Sequence, residues 1–310
     1  INVSCFGGNN GVAIVTPTGG TAPYSYIWTN TQTDSTASLL TAGVYTVTTT
    51  DNNNCSATST LTITEPIAPI SGIIDIDTIV GCFNGGNGDI HIIPSGGTPS
   101  TVNQPNGTGY TYIWTNGSID TSSITLFAGQ HCVTITDSLA CSEVVCITLT
   151  QPTQVTASVS SIVNVTCNGD STGTAIAAGA GGQPLPYTFL WSANTGSQTT
   201  SIVSGLAANT VYSVTVFDAY GCRDSVLSVT VTEPSAITVS TTPTNLLCNG
   251  ITPPDGAALA VAAGGTGTLD FLWDSGTGNQ AIANATGLAP GTYTVTVTDD
   301  SLCTGTSTVT

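Results

Sequence analysis

The chain has 310 residues, 40% of them hydrophobic and only 6% charged, and one arginine stands against eighteen acids for a formal charge of −17. Phosphate contacts need lysines and arginines, so nucleic acid is excluded as a partner, and an anionic membrane surface fails for the same reason. No run of residues has the length and apolarity of a membrane span, so no membrane insertion is expected, and there is no lysine to form an intramolecular Lys–Asn isopeptide bond.

From the N-terminus, the first phrase is CFGGNNG, opening at Cys5, followed by the pair Gly19-Gly20 and then PYSYIWTN, which contains Trp28. The stretch GVYTVTTTDNNNC ends at Cys55, and LTITEP ends at Pro66. The same order of phrases returns three times. CFNGGNG, CNGDSTG and CNGITPPDG open at Cys82, Cys167 and Cys248, giving spacings of 77, 85 and 81 residues. Trp114, Trp191 and Trp273 sit in GYTYIWTN, PYTFLWSAN and TLDFLWDSG, and the second cysteine returns as Cys141, Cys222 and Cys303. This period is too long for a solenoid unit and suits a small domain. The expected repeats are 1–66, 67–152, 153–234 and 235–310.

Within one repeat, Tyr24, Tyr26 and Trp28 alternate with Ser25 and Ile27, and Tyr45 and Val47 alternate with outward threonines. Leu61 and Ile63 continue the pattern. Alternation of this kind marks antiparallel strands wet on one face, and the Gly-Gly pairs and Asn/Asp clusters mark turns. No segment has a helical period. The prediction is all-β: four tandem immunoglobulin-like β-sandwich repeats of six or seven strands, forming an extended rod. Pro66, Pro152 and Pro234 end strands and stiffen the joints. Residues 1–4 omit most of the strand that precedes the first cysteine elsewhere, and the fourth repeat stops before its TEP. A window on a longer array is the expectation, with a subunit completed by a neighbour's strand as the alternative.

Leu206…Tyr212 and Leu288-Ala-Pro-Gly-Thr-Tyr293 have the form of the tyrosine corner of such sandwiches. In the second repeat His131 takes the tyrosine place. Cys132 and Cys146 there replace outward threonines and lie symmetrically about Leu139, so they are read as a surface staple across one hairpin. Its bond should be the first to yield to mild reductant.

The combined pattern C-x-G-x-x-x-G, GG-x-x-PY-x-Y-x-W, L-x-x-G-x-Y-x-V-x-x-x-D-x-x-x-C and T-x-T-x-TEP resembles the SprB-type repeat of large cell-surface adhesins in gliding Bacteroidota. The resemblance covers essentially the whole chain and implies type IX secretion, an extracellular filamentous adhesin or structural fibre, and a role in surface attachment and gliding. It implies no catalytic residues. It also implies O-glycosylation at Asp-Ser/Thr sites, here Ser35, Thr78, Ser138, Ser171, Ser225 and Ser301. The partners it implies are neighbouring repeats, copies of the same protein, and surface or extracellular polysaccharide. An array of carbohydrate-binding modules and a fibre subunit polymerised by strand complementation are the competing readings.

His91 and His131 pair with no nucleophile, so no enzyme is expected and no cofactor is assigned. Calcium is the one metal to weigh. Asp75 and Asp77 lie two apart on a strand, and Asp51, Asp137, Asp218 and Asp299 recur at a hairpin turn. Calcium takes six to eight oxygens and no D-x-D-x-D-G loop is present, so turn formation is the better account of the recurring aspartates. The long loop between Gly97 and Tyr110 is the one candidate recognition element.

Ten cysteines without C-x2-C spacing point to disulfides in an oxidising compartment. The expected pairing is within repeats: Cys5–Cys55, Cys82–Cys141, Cys167–Cys222 and Cys248–Cys303, with Cys132–Cys146 added. In an immunoglobulin-like sandwich, however, the two cysteines of one repeat fall at opposite ends. A ladder of Cys5–Cys141, Cys82–Cys222 and Cys167–Cys303 is therefore the alternative.

Overall fold

A computed structural model of the chain describes residues 1–102, 107–183, 186–245 and 255–310. It divides into two compact units, Ile1–Pro152 and Thr153–Thr310. Among the described residues it is all-β apart from two short 3-10 turns at Ala193–Thr195 and Ser275–Thr277.

In the first unit, β1 (Gly11–Ile14) pairs with β3 (Thr36–Leu40), and β2 (Ser25–Trp28), β4 (Gly43–Thr50) and β5 (Ser56–Ile63) form a second sheet with β4 central. The next six strands are β6 (Ser71–Thr78), β7 (Gly88–Ser95), β8 (Thr111–Trp114), β9 (Ser122–Leu126), β10 (Gly129–Thr136) and β11 (Ser142–Leu149). They form the sheets β6-β7-β9 and β8-β10-β11. The second unit repeats this plan twice. β12 (Thr153–Val163), β13 (Gly173–Gly182) and β15 (Ile202–Leu206) face β14 (Thr188–Trp191), β16 (Tyr212–Phe217) and β17 (Arg223–Val229). β18 (Thr238–Thr244), β19 (Gly256–Ala263) and β21 (Asn284–Leu288) face β20 (Leu269–Trp273), β22 (Tyr293–Asp299) and β23 (Thr304–Val309). Every pairing is antiparallel, and the strand order is that of an immunoglobulin-like sandwich. The described strands number six per repeat and five in the first, where six or seven were expected.

Alternation produces this architecture. In β22 the side chains of Val295 and Val297 are fully buried while the alternating Thr294, Thr296 and Thr298 are not. Four hydrophobic cores result, each built around one tryptophan: Trp28, Trp114, Trp191 or Trp273. Each indole N–H donates to a backbone carbonyl, of Asp34, Asp120, Thr200 and Ile282, at 2.9 to 3.0 Å. The tryptophan thus combines a large apolar burial with a satisfied donor.

Candidate functional site

The recurring aspartates fasten the turn that carries the second cysteine. Oδ1 of Asp299 accepts the backbone N–H groups of Ser301 and Cys303, both at 2.9 Å, and Oδ2 accepts that of Thr266 at 2.7 Å. Asp218 does the same for Tyr220, Cys222 and Gln183, and Asp137 for Leu139, Cys141 and Thr98. Asp51 serves Asn53, Cys55 and Thr21. Thr21, Thr98, Gln183 and Thr266 each follow a Gly-Gly pair, so the carboxylate ties two distant turns together. With both oxygens engaged by the backbone, these aspartates act as turn fasteners. Among the described residues, no cluster of His, Cys, Asp or Glu is arranged to hold a metal. The backbone N–H of Thr21, and then that of Cys55, hold the Asp51 carboxyl below the usual carboxylate range. The stabilisation is therefore present above the unfolded-state value and lost as pH falls through the lowered folded one.

A second fastener holds the first cysteine's loop. Glu65 accepts the N–H of Gly7 at 2.5 Å, Gln151 that of Asn84 at 2.7 Å, and Glu233 that of Gly169 at 2.7 Å. Each donor lies two residues after a first cysteine. The Glu or Gln of the TEP and TQP phrases thus reaches back across its repeat, a role that only the folded arrangement reveals.

These two fastened turns meet between repeats. Cys5 is bonded to Cys141, with Cα atoms 5.7 Å apart, and Cys167 to Cys303 at 5.6 Å. The expected pairs Cys5–Cys55, Cys82–Cys141, Cys167–Cys222 and Cys248–Cys303 are accordingly corrected. The reason is length. In the first three repeats the two cysteines sit at opposite ends of strands six to eight residues long, and such strands span about 20–27 Å, far beyond the reach of a disulfide. Cys82 and Cys222 are each engaged in a disulfide. Cys55, expected in a disulfide, is an exposed free thiol. Cys248 lies outside the described residues.

The altered corner of the second repeat keeps its geometry. Tyr45 donates to the Thr41 carbonyl at 3.1 Å and Tyr293 to that of Ala289 at 2.7 Å, while Tyr212 bonds the backbone of Ala207. His131 Nε2 lies 2.9 Å from the Phe127 carbonyl, the same four-residue offset, and must carry the proton to donate there. Beside it Cys132 and Cys146 are direct cross-strand partners joined in a disulfide, with Cα atoms 4.0 Å apart. Cys146 is exposed, whereas Cys141 is buried. We expect mild reductant to open Cys132–Cys146 first, with native Trp fluorescence retained. Thiol labelling that reaches Cys141 before Cys146 would contradict this.

Other candidates prove local. His91 Nδ1 lies 2.8 Å from the Asp77 carboxylate, so Asp77 has a protein partner. Asp75 is the strand partner of His91. In the long loop, Ser100 N–H donates to the Gly109 carbonyl at 2.8 Å and closes its base; residues 103–106 lie outside the described residues. Buried Tyr110 donates to the Gly96 carbonyl at 2.7 Å, and burial raises its pKa and that of Tyr112.

The SprB repeat family matches residues 2–33 and 159–196, in each case the stretch from just before the first cysteine to the tryptophan phrase or just past it. A search of curated proteins finds no match. Among solved structures, the chain is similar to three N-terminal domains of the bacteriophage RB49 highly immunogenic outer capsid protein, at 14% identity and a TM-score of 0.35, covering 77% of this chain and 97% of that one. It is also similar to a tetra-tandem repeat from the extending region of a large adhesion protein, at 14% identity and a TM-score of 0.26, covering 97% and 91%. Scores this low carry no argument about function. The cysteine loop, Gly-Gly pair and tryptophan that the family match spans are the parts that the fasteners and the core organise, and over those two stretches the chain is similar to the SprB repeat.

Proposed function

We propose that this chain is an extracellular, load-bearing adhesin-like repeat protein that works in surface attachment and, as the SprB likeness suggests, in gliding. The observation that carries the reading is the disulfide between successive repeats, Cys5–Cys141 and Cys167–Cys303. A bond within a repeat protects that repeat alone, whereas a bond between repeats carries tension past both folds. The near absence of charge and the disulfides fit an oxidising cell exterior. The four repeats are 1–66, 67–152, 153–234 and 235–310 in this reading. The hydroxyls of Ser35, Thr78, Ser138, Ser171 and Ser225 are exposed, and that of Ser301 is half-buried, as candidate glycan acceptors. The recurrent tryptophans are core residues, which disfavours a carbohydrate-binding platform.

The test is retention under flow. Microspheres coated with the oxidised chain should resist detachment from glass and from polysaccharide gel better than albumin-coated ones. Retention no better than albumin on both surfaces would sink the adhesive reading.

A further inference from the structure

The tryptophans are core residues and offer no surface for stacking, but the second repeat presents one aromatic ring outward. Phe127 follows Leu126, the strand partner of Gly88, and is 61% exposed. It sits on Gly86. A Cβ added to Gly86 would fall 2.9, 3.1 and 3.2 Å from Cζ, Cε1 and Cε2 of the ring. Distances so nearly equal mean that the ring lies face-on over the glycine, because an edge-on ring would hold Cε1 and Cε2 much farther off than Cζ. One face of Phe127 is therefore packed on bare backbone, and the other meets solvent.

The fit is particular to this repeat. The same two places, two residues before the paired glycine and one after the paired leucine, hold Asn9 and Thr41 in the first repeat and Ser171 and Ala207 in the third. Phenylalanine thus stands where a glycine makes room for it. Both supports are fastened. The Gly86 loop is held by Gly85 N–H on the Cys82 carbonyl at 2.9 Å, Gly81 N–H on Asn87 Oδ1 at 3.1 Å and Asn84 N–H on Gln151. His131, in the place of the corner tyrosine, lies against the Phe127 carbonyl at 2.9 Å. A ring fixed from below loses little freedom when a ligand stacks on it.

The surroundings define the ligand. None of the eighteen acids lies in residues 80–88 or 121–136, nor does the one arginine. A charged ligand finds no partner on these segments, whereas their exposed amides, Asn84, Asn87 and Gln130, can bond hydroxyls. Phe83, in the Gly86 loop, is 42% exposed. At roughly 200 Å² for a whole phenylalanine, the two rings offer about 200 Å² of apolar surface. Each partner of a stable protein pair covers about 800 Å², so the platform is too small for a second copy of the chain and suits one or two sugar rings.

We propose that Phe127, laid on Gly86, is a stacking platform for a pyranose ring of a neutral, β-linked polysaccharide. Such rings are flat, with C–H groups on their faces and hydroxyls around the rim. The C–H face meets the electron-rich face of Phe127, and the rim hydroxyls turn to the amides. One platform binds weakly, and many copies side by side turn weak contacts into attachment. The inference names a contact for the adhesive reading and rests on that reading.

The test uses the whole oxidised chain and cellohexaose, a neutral β-linked oligosaccharide, in saturation-transfer difference NMR. The ring protons of the sugar should receive saturation from the protein. Phe127→Ala should lower that transfer roughly tenfold or more. Gly86→Ala should lower it severalfold by pushing the ring aside, and Phe127→Trp should retain it. The urea midpoint should stay native in all three variants, because the ring is mostly exposed. Transfer that persists in Phe127→Ala and in Gly86→Ala overturns the proposal, as does its absence from the native chain. Dimers of the native chain in sedimentation that Phe127→Ala dissolves overturn it in favour of a second copy. Because the sugar is free in solution, this measurement is independent of retention under flow, so the site and the adhesive reading fail separately.

Discussion

Pulled from its two ends under oxidising conditions, the chain should resist lengthening even at forces that unfold its repeats, and full reduction should release roughly 900 Å of contour at about 3.5 Å per residue. The shortest covalent path runs through Cys5–Cys141 and Cys167–Cys303, each bridging 136 residues in sequence. Only residues 1–5, 141–167 and 303–310 remain to be drawn out. Pairs within repeats would instead leave every junction extensible and hide about a fifth less chain. The same loops bear on stability, since closing one this long is worth about 5 kcal/mol in the chain-entropy account. For small domains that is a large share of the total. Cys5→Ala with Cys141→Ala should accordingly lower the denaturation midpoint of Ile1–Pro152 sharply, as read by urea titration of Trp fluorescence.

The next largest effect is expected from Asp299→Ala. The carboxylate is 3% exposed and accepts three backbone N–H groups. Removal leaves those donors unpaired near the core, at a net cost of about 3–5 kcal/mol, given roughly 1.5–3 kcal/mol per bond to a charged acceptor and some relaxation of the turn. Asp299→Asn should fall between, because its amide oxygen keeps Ser301 and Cys303 while its NH2 cannot accept from Thr266. Asp51→Ala should cost less, since that carboxylate is half-exposed to water. Urea titration of the three variants orders them, and an Asp299→Ala loss under about 1 kcal/mol would contradict the fastener role.

Where the determinants were local, the sequence was informative. Alternation around Trp28 and its counterparts marked the core, and mirror placement about Leu139 made Cys132 and Cys146 neighbours. The tyrosine offset accounted for His131. Contacts between distant turns were harder to read. Nothing in TEP by itself says that Glu65 will accept the N–H of Gly7, 58 residues away. The Gly-Gly pairs read as turns, but the incoming carbonyl of Pro69, Gln154 or Ala236 that packs against them appears only in three dimensions. Disulfide pairing was misread for a related reason. Pairing within repeats suits a bond that forms as each repeat folds, but the distance between the two ends of a sandwich decides against it.

The central claim is that the covalent links run between repeats, and non-reducing peptide mapping of the oxidised chain tests it most directly. Peptides containing Cys5 and Cys167 should be linked to those containing Cys141 and Cys303, with Cys55 recovered as a free thiol. Recovery of Cys5 joined to Cys55, and of Cys167 joined to Cys222, would contradict it.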